Sequence, residues 1–308
     1  MARAAPFTPL APLEKLPLAV RKDLRDNYES EKAALEAKIS EMLGTPFKIN
    51  INPNEVWAYN PADNNTSAGG LIKRYVEGFI SALEYFLDKH GEEGKTHFNE
   101  AVTKSELTVN ANELGDKAET ISADVKDGVF RILFHHKKLG DNQRYLRDYL
   151  LKAVEEVPRA GLSIVAKTSI ENSYNSEIDD VTSAIADILN IPDLVLEPNF
   201  EENFAALREG EVDDKGWEST FGNATLQYFS SGLLNQLEKQ GFKGDDMLQE
   251  GIAEILTSKK IKLRVAKATK NNSYHEVFFE DGVLIIQTMP KHWWFNVRDV
   301  GNGLVNLL

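Results

Sequence analysis

The chain has no cysteine. Disulfide staples, thiolate nucleophiles and thiolate metal sites are thereby excluded. Long hydrophobic runs are also missing: no window approaches the roughly 18 unbroken apolar residues of a membrane helix. Positive charge is scarce. Lys and Arg number 35 against 48 Asp and Glu, a net charge of −13. Nucleic acid needs a basic footprint and anionic membranes need basic patches, so neither is an expected partner. The acidic excess reads as a device for solubility.

Familiar catalytic patterns are absent too. There is no GxxxxGK[ST] loop, no strand-linked GxGxxG and no GxSxG elbow. No HExxH or comparable zinc signature occurs, and the paired acids, such as Asp179-Asp180 and Asp245-Asp246, lack EF-hand spacing. His135 and His136 are neighbours at a strand end, where successive side chains are expected on opposite faces. No metal and no cofactor is therefore expected.

The N-terminal residues carry prolines at 6, 9, 12 and 17 with no continuous apolar stretch between them. Residues 1–15 read as an extended arm rather than a secretory leader. A cytoplasmic location follows as an expectation, and the sequons at Asn64, Asn223 and Asn271 then read as coincidental.

What the chain does have is an internal echo. Ser30-Glu31, Leu43 and Pro46 match Ser176-Glu177, Leu189 and Pro192 at a shift of 146. Pro53-Asn54 matches Pro198-Asn199 at 145. Beyond a longer loop, Thr66, Gly78 and Leu83-Glu84 meet Thr220, Gly232 and Leu237-Glu238 at 154. Asp127-Gly128-Val129 and Ile132 meet Asp281-Gly282-Val283 and Ile286 at the same shift, and Arg147-Asp148 meets Arg298-Asp299 at 151. The matches are collinear, and the shift changes only where loops belong. They divide the chain into the arm, a first unit over 16–158 and a second over 159–308.

Each unit opens on a short apolar segment, Leu16–Val20 or Gly161–Val165, the second read as a strand. A helix follows with stripes Leu35, Ile39, Leu43 and Val181, Ile185, Ile188, ending at Gly44-Thr-Pro46 or Asn190-Ile-Pro192. A strand near 47–51 or 193–197 leads through a polar loop to the longest helix, apolar at Leu71, Tyr75, Phe79, Leu83 and at Leu226, Phe229, Leu233, Leu237. A short helix (95–103; 245–257) precedes three strands, near 105–111, 118–125 and 128–135, and near 259–268, 273–280 and 283–289. Asp127-Gly128 and Asp281-Gly282 signal a tight hairpin between the last two. Each unit is expected to close on a helix carrying Arg-Asp. The fold class is α+β: an internal duplication of a unit with a small, mostly antiparallel sheet and helices packed on one face.

Few residues suggest chemistry. Glu84 and Glu238 sit at matching points beside the long helix's apolar stripe. Two such units packed about a pseudo-twofold axis would bring their carboxyls together for acid–base work. Arg147 and Arg298 are candidates for gripping an anion. Only the second unit has Lys291-His292-Trp293-Trp294-Phe295, expected to enter a helix; the first unit has Leu139-Gly-Asp-Asn-Gln-Arg-Tyr145 there. Aromatic clusters anchor partners or seal cores. The expected function is that of a non-catalytic binding protein with a groove between two related lobes. Its ligand-binding candidates are His292, Trp293, Trp294, Arg147 and Arg298. The partner would be a small molecule or a protein segment, and composition allows a homo-oligomer. The alternative is an enzyme with a composite site at the lobe interface using Glu84, Glu238 and His292.

Overall fold

The computed structural model describes residues 7–61 and 67–308; the sequon at Asn64 and the first six residues lie outside them. Along the described part of the arm, Leu10 donates its N–H to the Tyr59 hydroxyl (2.7 Å) and Leu13 donates to the Asn54 carbonyl (3.1 Å). The chain divides into two compact units after Arg159.

The first unit opens on a helix, α1 (Leu18–Leu24), over the short apolar segment that follows Pro17. Pro17 occupies its N-cap, a place where a missing N–H costs nothing. A π-helical turn at Arg25–Glu29 carries the chain into α2 (Ser30–Leu43), which stops at Gly44 in the left-handed conformation (φ 67°). Then come β1 (Lys48–Ile49), α3 (Pro53–Trp57) and α4 (Ala68–Ala101). Helix α4 joins the expected long and short helices into one element with a kink at Gly91 (φ 56°, ψ −144°). That backbone conformation is open in practice only to glycine. Strands β2 (Glu106–Ala111), β3 (Ile121–Lys126) and β4 (Val129–Phe134) follow, and α5 (Arg147–Glu155) closes the unit.

The sheet order is β1-β2-β4-β3. β1 pairs parallel to β2, β2 parallel to β4, and only β3–β4 is antiparallel. The sheet is therefore mixed, not mostly antiparallel. The expected hairpin is there, turning through Asp127 (φ 53°) and Gly128 (φ 77°), both left-handed as a two-residue loop of this type demands. β1 and β2 run the same way, β3 reverses, and β4, reversed again by the hairpin, inserts between β2 and β3. Its neighbour β2 then necessarily runs the same way.

One face of this sheet is buried. Leu107, Val109 and Ala111 pair with Phe130, Ile132 and Phe134, and all six are buried. Phe79 of α4 packs on them, its ring 5.0 Å from that of Phe130 and 5.9 Å from that of Phe47. The opposite face is polar. Arg131, at its centre, is gripped by both oxygens of Asp124 (2.7 and 2.6 Å) and by Glu113 (3.1 Å). Gly78 is where α4 meets the segment before α5. A Cβ built there would lie 2.1 Å from the Gln143 carbonyl oxygen.

The second unit opens on α6 (Ile164–Ser169), again a helix and not the expected strand. Ser163 caps it by accepting the N–H of Ala166 at 3.1 Å. A π-helical turn at Ile170–Tyr174 precedes α7 (Ile178–Leu189), which ends at left-handed Asn190. After β5 (Val195–Glu197) come α8 (Phe200–Glu209) and α9 (Trp217–Gln227), a π-helical stretch at Tyr228–Leu234, α10 (Asn235–Lys239) and α11 (Asp246–Ile255). Strands β6 (Lys260–Val265), β7 (His275–Glu280) and β8 (Val283–Thr288) complete a sheet ordered β5-β6-β8-β7, parallel, parallel and antiparallel in turn. The unit closes on 3₁₀ turns in place of an α-helix: Arg298-Asp299 lies in the turn Val297–Asp299, and Leu304–Leu307 follows. No described helix is long and apolar enough to cross a membrane.

Candidate functional site

The aromatic segment of the second unit follows β8. It enters through a short 3₁₀ turn, Pro290–His292, in place of the expected helix. Trp293 turns inward and is 2% exposed, its ring 5.7 Å from that of Phe221 and 5.3 Å from that of Tyr228. It is a core residue, and its indole N–H is buried with no hydrogen-bond partner among the described residues. Trp294 is half-buried and holds φ at +65°. Its backbone N–H donates to the Tyr228 hydroxyl (2.9 Å) and its indole N–H to Gln227 Oε1 (3.0 Å). His292 is half-buried, with its ring 4.6 Å from that of Tyr274.

The other sequence candidates lie on exposed surface. Glu84 pairs with Lys38 at 2.7 Å, and Glu238 is exposed on α10. Arg147 begins α5, its guanidinium 4.0 Å above the centre of the Tyr85 ring. Arg298 is exposed, and its backbone carbonyl accepts from Gln236 Nε2 (2.6 Å). In the second unit, neither Glu238, His292 nor Arg298 lines the cavity described next.

That cavity lies at the carboxyl ends of the parallel strands β6 and β8. In sheets with parallel strands this is where connecting segments diverge and leave room for ligands. It encloses about 530 Å³, floored by Ala206, Val265, Ala266, Met289 and Pro290. The fold builds the floor from two directions. Buried Asn203 of α8 accepts the N–H of Val265 (2.7 Å) and donates to the carbonyls of Leu263 and Pro198 (3.0 and 2.8 Å), pinning α8 to the end of β6. Gly210, just past α8, lies against Pro290 so closely that a Cβ would sit 2.4 Å from its Cγ. Around the rim stand Lys267, Lys291, Glu209 and Glu211. All four are exposed, and none has an ion-pair partner among the described residues. An apolar floor ringed by uncommitted charges of both signs can hold a small amphipathic molecule and orient its polar ends.

At the corresponding end of the first sheet, β4 is followed at once by His135 and His136. Having left the strand, they do not point to opposite faces. Their rings stack, centroids 4.7 Å apart and planes 15° apart, which overturns the expectation from strand alternation. Asp116 stands beside them, and one ligand atom from each of the three residues lies within 4.8 Å of the others. His136 Nε2 is 3.3 Å from Asp116 Oδ1, while His136 Nδ1 is buried without a hydrogen-bond partner among the described residues. Phe7 of the arm covers the His136 ring at 4.8 Å. Burial, aided by neighbouring His136, holds His135 below the ordinary histidine range, so it is uncharged near neutral pH. Sequence reasoning passed over this cluster. The available signal was a histidine pair placed just beyond, not within, a strand.

His90 and His97 lie on α4 on either side of the Gly91 kink, both buried, with His97 Nε2 3.1 Å from Glu155 Oε1 of α5. Burial, reinforced by Lys89, depresses His90 to about 4, with Glu155 opposing. In the second unit, His275 is lowered by burial, and its Nε2 contacts the Phe295 carbonyl. No protein-family model, curated protein or solved structure matches the chain.

Proposed function

We propose that the chain is a non-catalytic binding protein that arose by duplication of one α+β unit, and that its ligand is a small amphipathic molecule held at the carboxyl edge of the second sheet. The observation that carries the binding reading is the cavity bounded by Val265 and Met289, with its apolar floor and its four uncommitted rim charges. A ligand with an apolar body and ionised groups at its ends, such as a zwitterion, satisfies both features. Against the enzyme alternative stand the positions of its acids: Glu84 is exposed and ion-paired, and Glu238 is exposed. The proposal includes a cytoplasmic location.

Duplication is supported by details beyond strand order. Tyr75 and Tyr228 each accept a backbone N–H from the segment after the last strand, from Gly140 and Trp294 respectively, both at 2.9 Å. Gly128 and Gly282 each press on a threonine hydroxyl, of Thr103 and Thr257, where a Cβ would sit 2.2 Å from Oγ1. The π-helical turns at Arg25–Glu29 and Ile170–Tyr174 stand at equivalent points.

The test is a thermal-shift panel of amphipathic acids, amines and zwitterions, followed by calorimetry on any hit. Ligand binding to the native state alone raises the melting temperature. Ala206→Phe fills the cavity from its floor and should abolish binding while the protein stays folded. A ligand that binds this variant as tightly as the wild type, or that is chemically converted on incubation, overturns the reading.

A further inference from the structure

We propose that Asp116, His135 and His136 form a binding site for a divalent first-row transition metal, a site separate from the ligand cavity of the second unit. The donor set is two imidazoles and one carboxylate. That combination suits borderline ions such as Zn²⁺, Co²⁺ and Ni²⁺ and is poorly matched to Ca²⁺ or Mg²⁺, which take all-oxygen shells.

The spacing supports the assignment. Metal–nitrogen and metal–oxygen bonds of about 2.0–2.1 Å at tetrahedral angles place neighbouring donor atoms about 3.3 Å apart. His136 Nε2 and Asp116 Oδ1 are 3.3 Å apart, so this pair already spans one edge of such a shell. His136 Nδ1 is buried and has no partner among the described residues, and Nε2 is the nitrogen turned toward the carboxylate. The third donor, on His135, falls within the 4.8 Å that bounds the group, and a modest ring rotation closes the remaining gap. Stacking of the two imidazoles and the cover of Phe7 restrict both rings before any ion arrives. Three protein donors leave a further position to solvent.

The cluster already accommodates a cation. Lys137 Nζ lies 2.5 Å from Asp116 Oδ1, and the Lys137 backbone N–H donates to His135 Nδ1 at 3.1 Å. A metal ion replaces the ammonium on Asp116 with a higher charge and bonds to both imidazoles, which the ammonium cannot do. Lys137 is thus a built-in competitor, and its removal should tighten binding instead of weakening it. A merely structural ion pair predicts no such gain.

The experiment uses the full chain, stripped with a chelator and titrated with Zn²⁺ by calorimetry and with Co²⁺ by visible absorption, whose intensity distinguishes four- from six-coordinate ions. The expected result is saturation at one equivalent. His135→Gln, His136→Gln and Asp116→Asn should each weaken binding at least tenfold, in keeping with loss of a direct ligand when even outer partners cost about 10–100-fold. Lys137→Met should strengthen it about fivefold, the upper range for an exposed ion pair. His292→Gln, outside the cluster, should leave it unchanged. Circular dichroism on each variant separates ligand loss from unfolding. A folded wild type that takes up neither ion at stoichiometric concentration overturns the proposal. So does binding that survives His135→Gln and His136→Gln together.

Discussion

The backbone N–H of Trp294 donates to the hydroxyl of Tyr228 at 2.9 Å, and Gly140 makes the same bond to Tyr75 in the first unit. Both donors are left-handed, Gly140 at φ 87° and Trp294 at φ 65°. Glycine takes that conformation freely, but a bulky residue is strained in it. The second unit follows the same local backbone path with an indole on it.

That strain makes adjacent tryptophans unequal. Trp293→Ala empties a core position and should cost about 3–5 kcal/mol. Trp294→Gly loses partial packing and one indole hydrogen bond but relieves the backbone, so its cost should stay near 1 kcal/mol. Chemical denaturation of both variants checks the ordering; equal losses would contradict it.

The tyrosine hydroxyl carries its own consequence. Tyr228→Phe leaves the Trp294 N–H without its acceptor and should destabilise by about 1–3 kcal/mol. Burial pushes Tyr228 up to about 12, and the Thr288 side chain and the Trp294 N–H only partly oppose this. The folded pKa lies above the unfolded one, so the stabilisation is complete below the unfolded value near 10. It is lost as pH rises from there toward 12. Alkaline titration of wild type and Tyr228→Phe by circular dichroism should show the wild type losing stability more steeply in that window.

His90 sets the acid side. Its folded pKa of about 4 lies below the unfolded value of 6.5, so the unfolded chain binds the proton first. Stability is full above 6.5 and falls as pH drops from 6.5 toward 4. The loss should be about 2 kcal/mol, since burial of this ring is incomplete in electrostatic terms. His90→Gln should flatten that part of the pH–stability curve in urea denaturation; an unchanged slope would assign the acid sensitivity elsewhere.

Two glycines of α4 should respond differently to alanine. At Gly78 a Cβ meets the Gln143 carbonyl, backbone that cannot step aside, so Gly78→Ala should cost about 3 kcal/mol or more. At Gly91 an added Cβ would meet nothing within 4 Å among the described residues, and the penalty is the backbone conformation alone, about 1–3 kcal/mol. Thermal melts of the two variants test this, and a stabilising Gly91→Ala would show that the kink is not required.

Local pattern revealed much of the fold. Short apolar segments located all eight described strands to within a few residues, and Asp-Gly located both hairpins. Pairing was not legible, because alternation fixes which face of a strand is buried but not which strand lies beside it. Hence β4 inserts between β2 and β3 with no trace in either segment. The opening segment of the second unit misled for another reason. Leu16–Val20 and Gly161–Val165 are too short to show a period, and the cap residues Pro17 and Ser163 were the better guide. At the candidate sites, the double tryptophan drew attention by composition, yet Trp293 proved to be core. The Asp116 cluster and the cavity beside Val265 are made by residues far apart in sequence, whose meeting depends on the parallel strand ends.

The parallel pairings also dictate an order of assembly. β1 can meet β2 only after the whole of α4 has crossed between them, with Lys48 finding Glu106, and β5 likewise waits for α8 to α11 before Val195 finds Lys260. Local contacts form before distant ones because closing a long loop is entropically slow. Each unit should therefore gain its helices and its β3–β4 or β7–β8 hairpin early and seat its two- or three-residue edge strand last. In refolding, helix signal should precede amide protection at Lys48, Asn50 and Val195, whose N–H groups donate to the carbonyls of Ser105, Leu107 and Lys259, and the rate-limiting step should be the arrival of the shortest of the described strands.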